Sequence, residues 1–366
     1  MISECCHAEE AHLEVEHVDP YRDPRWDAFV ESHPHRLIFH LSDWSRVIER
    51  AFSHIQAHHL ALVDGQSGEI LAGIPIYHVR SILLGRRLIS VPFAPFADPL
   101  LRCPDDMAVL LNGVLQLAAD LRTTRLSIKT LRAGDLATDP RLAADASFKH
   151  HFIALDSTVD QLRKKLHRTS TRPLVKRAEK SGLLVSEANQ ESDLLDFYRL
   201  YASTRSRLGL PPHPFRFFSE LWRAFASNRR MIILFASLNG NRVGALLLYH
   251  YAGRLSAEAI GVSSQYTKLH VNHFLFWQAI RLAYEMDCTI FDFGRTSSSN
   301  HGLLAFKRHW ATQEVNLITY LFPKYTIFQA SSTQNSLSYI IFTKTLKFFP
   351  DVVNKKLGDF CYKHIC

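Results

Sequence analysis

The chain has 366 residues, 47% of them hydrophobic and 21% charged, with only 15 Gly and 15 Pro, which excludes disordered, fibrous and low-complexity classes and leaves room for two ordinary domains. Six cysteines without a C-x-x-C pair do not build a disulfide scaffold, and the sequence reads as that of a reduced, cytoplasmic protein. The excess charge of +8 is uneven: residues 163–180 carry eight Lys or Arg against one acid, Glu179.

The first ten residues are acidic where a signal peptide is basic, so secretion is not expected. No run approaches the ~18 apolar residues of a spanning helix. Helical periodicity is predicted over 25–31 and 42–52, followed by a strand–turn–strand pattern over 59–78, a strand over 88–93, a helix over 108–121 and a strand over 125–129. The basic segment follows, with Ser170 or Thr171 as helix cap, Pro173 in the first turn and Gly182 past the end, which sets Arg172, Lys176 and Lys180 on one face. Such a stripe is either a solvated linker helix or an anion site.

The order then repeats. Helices are predicted over 192–207 and 214–226, a second hairpin over 231–250, a strand over 254–261, a helix over 271–286 with Phe274, Trp277, Ile280 and Leu282 inward, and a buried strand over 289–293. Gly73 and Gly244 read as matching positions 171 residues apart, so one α/β unit is expected twice, with a linker near 155–182. After Pro323, residues Phe342, Leu346, Phe349, Val353, Leu357 and Phe360 keep helical spacing among lysines, which predicts an amphipathic tail packed on a domain or resting on an anionic membrane. The 20 histidines show no metal-ligand spacing and no nucleotide or hydrolase motif is present, so no metal site is expected. The densest polar stretch is Asp292 to His301, where a strand end would position it.

Asp292-Phe-Gly-Arg-Thr-Ser, Gly302 and Phe306-Lys-Arg-His-Trp310 resemble the signature of FemAB-related transferases, built from two GNAT-like acyltransferase domains. Phe39-His40 with Trp44, the stretch Leu84 to Phe93 and the basic segment resemble three further motifs of that family. The resemblance spans roughly residues 12 to 323 and implies tandem GNAT-like, mixed-sheet α/β domains over 12–155 and 156–323, with a helical extension over 324–366. It implies N-acyl transfer from acyl-CoA or aminoacyl-tRNA, without a permanently bound cofactor, to a nucleotide- or lipid-linked amino-sugar or peptide acceptor of the cell envelope. The tail resembles that of relatives found with exosortase systems, which extends the expectation to exopolysaccharide precursors and to peripheral contact at the inner membrane face.

Carried over residue by residue, Phe306 and Lys307 take the catalytic cleft, and Arg172, Lys176, Arg177 and Arg46 are expected to bind substrate phosphate. Arg295 joins the binding set, and Asp292 is the nearest ionisable candidate for the base that an attacking amine requires. A fixed ammonium such as Lys307 suits the oxyanion of acyl transfer. Ala311 stands where the family has Gly, Ala97-Asp98 replaces Gly-Gly, and the helix over 271–286 lacks the glycine loop that holds a CoA pyrophosphate. The competing readings are a non-catalytic module holding an anionic glycolipid, and a nucleic-acid binder; residues 163–180 contain no aromatic side chain, so DNA is not an expected partner.

Overall fold

The computed structural model describes residues 13–324, except 83 and 133, together with 357, 358 and 360–362. Two compact units result: the first holds described residues 13–146 and 317–324, the second 147–316 and the described C-terminal residues. The sequence reading divided the chain at 155 and placed a separate extension after 323; in the structure the chain returns to the first unit at 317.

In chain order the elements are β1 (Leu13–Val18), α1 (Arg25–Ser32), α2 (Ser42–Ala51), β2 (Ile55–Asp64), β3 (Ile70–Ser81), β4 (Gly85–Ile89), β5 (Leu100–Leu101), α3 (Asp106–Asp120), β6 (Arg125–Thr130) and β7 (Ala143–Ala154). They continue as α4 (Val159–Lys165), α5 (Thr171–Glu179), β8 (Leu184–Glu187), α6 (Asp193–Arg207), α7 (Phe215–Phe225), β9 (Met231–Leu238), β10 (Asn241–Tyr251), β11 (Arg254–Val262), α8 (Val271–Glu285), β12 (Ile290–Ser297), α9 (His301–Arg308) and β13 (Gln313–Phe322).

The first unit's strands run β1-β2-β3-β4-β6-β13, with β5 beside β3; the second unit's run β8-β9-β10-β11-β12-β7. Both are antiparallel except for one parallel pair each, β4 with β6 and β11 with β12. The two orders match strand for strand, so the predicted duplication is present. Its last strand is exchanged: β13, late in the chain, closes the first sheet on β6, and the second half of β7 closes the second sheet on β12.

Each unit has its own core. In the first, Leu110, Leu111 and Val114 of α3 pack on Leu60, Ile74, Leu88 and Ile128. In the second, Phe274, Trp277 and Ile280 of α8 pack on Leu246, Leu255 and Phe291, as the 3.6-residue period predicted, although Leu282 stays only partly buried. Full burial of each such side chain is worth about 1.5–3 kcal/mol.

One repeat assignment needs correction. Gly73 lies against α1, where a Cβ would come within 2.8 Å of Trp26, whereas Gly244 lies against α8, where a Cβ would come within 2.5 Å of Val271. They face opposite sides of their sheets, so the true equivalents are one residue apart, because a strand's side chains alternate with a period of two. The helix expected between Ser170 and Gly182 is α5, while the first basic residues of the segment belong to α4, which was not predicted. Of the tail, Leu357, Gly358, Phe360, Cys361 and Tyr362 are described, with Cys361 and Tyr362 buried and Phe360 exposed; Phe342, Leu346, Phe349 and Val353 lie outside the described residues. No helix among the described residues is long and apolar enough to cross a membrane.

Candidate active site

Two neighbouring strands of the second unit, β11 and β12, diverge. β11 pairs with β12 only from Arg254 to Ser256, against Ile290 to Asp292, and then leaves it. At the same point β11 bulges: Leu248 opposes Ala257 and Leu247 opposes Ala259, so Glu258 has no cross-strand partner on β10. β12 bulges against β7 between Asp292 and Gly294, and Gly294 takes φ +69°, a left-handed conformation natural to glycine. An extra residue in a strand bends it and re-aims its side chain. Both bulges sit where the pairing of β11 with β12 ends.

Helix α9 supplies the next group. It begins where the Asn300 side chain accepts from the Leu303 N–H at 3.1 Å, and it is held by the fully buried Trp310, which contacts Phe276, Phe293, Phe306 and His273. That anchorage brings Lys307, 6% exposed, back to the β12 bulge, where its Nζ donates to the carbonyls of Gly294 at 2.9 Å and Arg295 at 3.1 Å. Two of the three ammonium N–H groups are thereby engaged by backbone carbonyls.

Electrostatics distinguish the two carboxyls. Burial pushes the Asp292 pKa up, but His150, the Arg254 guanidinium and the Gly294 N–H outweigh it and hold the carboxyl well below the usual range. Asp292 Oδ2 lies 2.7 Å from Arg254 Nη1 and 3.2 Å from His150 Nε2, and Oδ1 accepts from Gly294 N at 2.7 Å. A carboxylate so occupied is a poor proton acceptor, which argues against the base role expected for Asp292. Glu258 is the opposite case: burial, reinforced by the Asp292 charge and opposed by Lys307, pushes it up to about 8. Lys307 is lowered to about 8, chiefly by burial, with Asp292 and Glu258 pulling it back up. A carboxyl and an ammonium that exchange protons just above neutrality suit general acid–base and oxyanion chemistry.

Lys307 and Asp292 thus come together in the second unit with Glu258, which sequence reasoning missed. Its signal was a lone acid between alanines in an otherwise apolar stretch of β11; strand alternation alone reads such a residue as solvent-facing. Phe306 is part of the aromatic floor, 5.6 Å from the His273 ring. Arg295 does not pair with Asp292; its guanidinium lies over the Phe148 ring at 4.8 Å. Arg172 donates to the carbonyls of Lys164 and Leu166 and so caps α4. Lys176 and Arg177 are exposed on α5, and Arg46, in the first unit, pairs with Asp43 at 3.1 Å and covers the Tyr21 ring. Ser170, the expected cap, instead spends its hydroxyl on His167 and His309. No group of side chains suited to a metal ion occurs among the described residues.

Residues 165–308, which hold α5 through α9, match the family model for the acetyltransferase (GNAT) domain. That stretch of the second unit is a GNAT-type acetyltransferase domain by its sequence, and the fold of the whole chain is that of tandem GNAT proteins. Among solved structures it is similar to FemX, with 16% identity and a TM-score of 0.66 over 86% of this chain and 99% of that one. It is similar also to the C-terminal domain of a putative lysylphosphatidylglycerol synthetase from Agrobacterium fabrum, with 14% identity and a TM-score of 0.54 over 84% and 95% of the two chains. A tandem GNAT protein from the clavulanic acid biosynthesis pathway shares 12% identity and a TM-score of 0.51 over 85% and 98%. No curated protein matches in sequence.

Proposed function

We propose that the second unit transfers an acyl or aminoacyl group to the amine of a phosphate-bearing cell-envelope precursor, with Glu258 as general base and Lys307 as oxyanion stabiliser. The observation that carries this reading is the placement of Glu258 on the β11 bulge, beside Lys307, where β11 leaves β12. The amine nitrogen attacks the carbonyl carbon of the donor ester or thioester; its proton passes to Glu258, the oxyanion meets a remaining N–H of Lys307, and collapse of the intermediate breaks the carbon–oxygen or carbon–sulfur bond, the departing oxygen or sulfur taking the proton held by Glu258. FemX and the lysylphosphatidylglycerol synthetase domain, similar in fold, support an envelope acceptor. Lys176 and Arg177, exposed on α5, are the chain's candidates for substrate phosphate.

The test is a thermal-shift panel on wild type and Lys307→Ala with acyl-CoAs, aminoacyl-tRNA, UDP-linked muropeptides and anionic glycolipid, followed by a transfer assay with whatever pair stabilises the protein. Stabilisation by one donor and one acceptor, with product formed by wild type and at least about 100-fold less by the variant, is expected. Binding of glycolipid alone, with no donor bound and no product, would sink the transferase reading in favour of a binding module.

A further inference from the structure

The end of the first unit's sheet where β3 turns into β4 carries an arrangement that its core does not use. Ile82, in that turn, is 96% exposed, the most of any large hydrophobic side chain among the described residues, and Leu84 is 48% exposed. The Leu84 N–H donates to Ser81 Oγ at 3.0 Å, and Gly85 follows with φ +74° and nothing within 4 Å of where a Cβ would stand. The turn therefore stands clear of the rest of the unit.

Arginines surround these two side chains. Arg80 of β3 lies directly opposite Arg86 of β4, and Arg87 of β4 lies beside Arg125 of β6. Successive residues of a strand face opposite sides of a sheet. Leu88 and Leu126 pack on α3, so their neighbours Arg87 and Arg125 share the other face, while Arg86 and its partner Arg80 share the face of α3. Arg122 joins them from the turn between α3 and β6, which is held to β4 where Thr124 N and Oγ1 donate to the Arg86 carbonyl at 3.3 and 3.4 Å. Guanidinium groups thus flank the turn on both faces, and among the described residues Arg80, Arg86 and Arg122 have no carboxylate partner.

Like charges directly opposite one another weaken a hairpin, and an aliphatic side chain left in water contributes nothing to a core. Neither feature serves the stability of the first unit. Together they make an apolar tip in a cationic collar, the complement of a bilayer with anionic headgroups: phosphates meet the guanidinium groups while the aliphatic side chains enter the acyl boundary. A nucleic acid would engage the arginines but leave Ile82 and Leu84 in water, and none of these residues is an aromatic that could stack on a base.

We propose that this end of the first unit is a docking surface for an anionic lipid bilayer, with Ile82 and Leu84 inserting and Arg80, Arg86 and Arg122 holding the headgroups. The proposal is independent of the transferase reading, because every residue in it belongs to the first unit and the reacting groups belong to the second.

The experiment is co-sedimentation of the full chain with vesicles of phosphatidylcholine alone and of phosphatidylcholine mixed with phosphatidylglycerol, at low and high salt. Wild type is expected to partition onto the anionic vesicles, less so as salt rises, and not onto the neutral ones. Ile82→Ser should weaken that partition about tenfold or more, and the pair Arg80→Gln with Arg86→Gln about twentyfold, or about fivefold per arginine. Since Ile82 lies outside the core, Ile82→Ser keeps the wild-type melting temperature and its vesicle result reads docking alone. Ile82→Trp should add an emission that shifts to the blue on anionic vesicles. Wild type that stays in the supernatant overturns the proposal, and so does a folded Ile82→Ser or double arginine variant that sediments as wild type does, because membrane contact would then lie elsewhere in the chain. Binding of a poly(U) probe that the arginine variant loses and Ile82→Ser keeps, without vesicle binding, overturns it in favour of a nucleic-acid surface.

Discussion

Replacing Glu258 by Gln should stabilise the protein, and only above acid pH. The folded carboxyl has its pKa raised from 4.5 to about 8, so between those values the unfolded chain ionises while the folded chain holds its proton. Stability therefore falls as pH rises through that window, and the whole penalty is present above it. A displacement of this size corresponds to about 5 kcal/mol as a ceiling, and because water reaches the part-buried side chain we expect about 2–3 kcal/mol to be realised. Glutamine has the same shape and no charge to lose. Denaturant unfolding of wild type and Glu258→Gln, at steps from pH 4.5 to pH 9, should show nearly equal stability at the acid end and a growing advantage for the variant, while transfer activity drops by about 100-fold or more. A difference independent of pH, or a less stable variant at pH 9, would refute the assignment of a neutral, desolvated carboxyl at the bulge.

Three further substitutions test neighbouring claims. Asp292→Asn should cost about 3–5 kcal/mol, because it leaves the Arg254 guanidinium without its buried carboxylate; in wild type this contribution, from a lowered pKa, is present above the ordinary carboxylate range and lost as pH falls below it, which acid unfolding of the two proteins will compare. Lys307→Met removes an ammonium whose pKa is lowered from 10.5 to about 8, a penalty present below about 8 and gone as pH rises to 10.5, so the variant's stability relative to wild type should decline across that alkaline range in thermal melts. Gly244→Ala should destabilise by about 1–3 kcal/mol through overpacking on Val271, measurable by denaturant unfolding; wild-type stability would refute the close approach of β10 to α8.

Local periodicity made much of this architecture legible. The 3.6-residue pattern of α8 named Phe274, Trp277 and Ile280 as buried, and the two hairpins announced a duplicated α/β unit, because such patterns depend only on which face of an element meets the core. Motif resemblance reached Lys307 and Phe306, since the residues that anchor α9 lie close together in the chain. What local pattern could not carry is everything set by pairing across long sequence distances. The exchange of β7 and β13 between units, the one-residue offset of Gly73 and Gly244, and the diversion of Arg172 and Ser170 into holding α4 and a histidine pair all depend on partners supplied by the fold. Glu258 is the sharpest case. Its sequence neighbours give an ordinary strand, and only the bulge against β10, the departure from β12 and the arrival of Asp292 and Lys307 convert a surface-type acid into a desolvated one, because a pKa records the three-dimensional surroundings of a charge rather than its place in the chain.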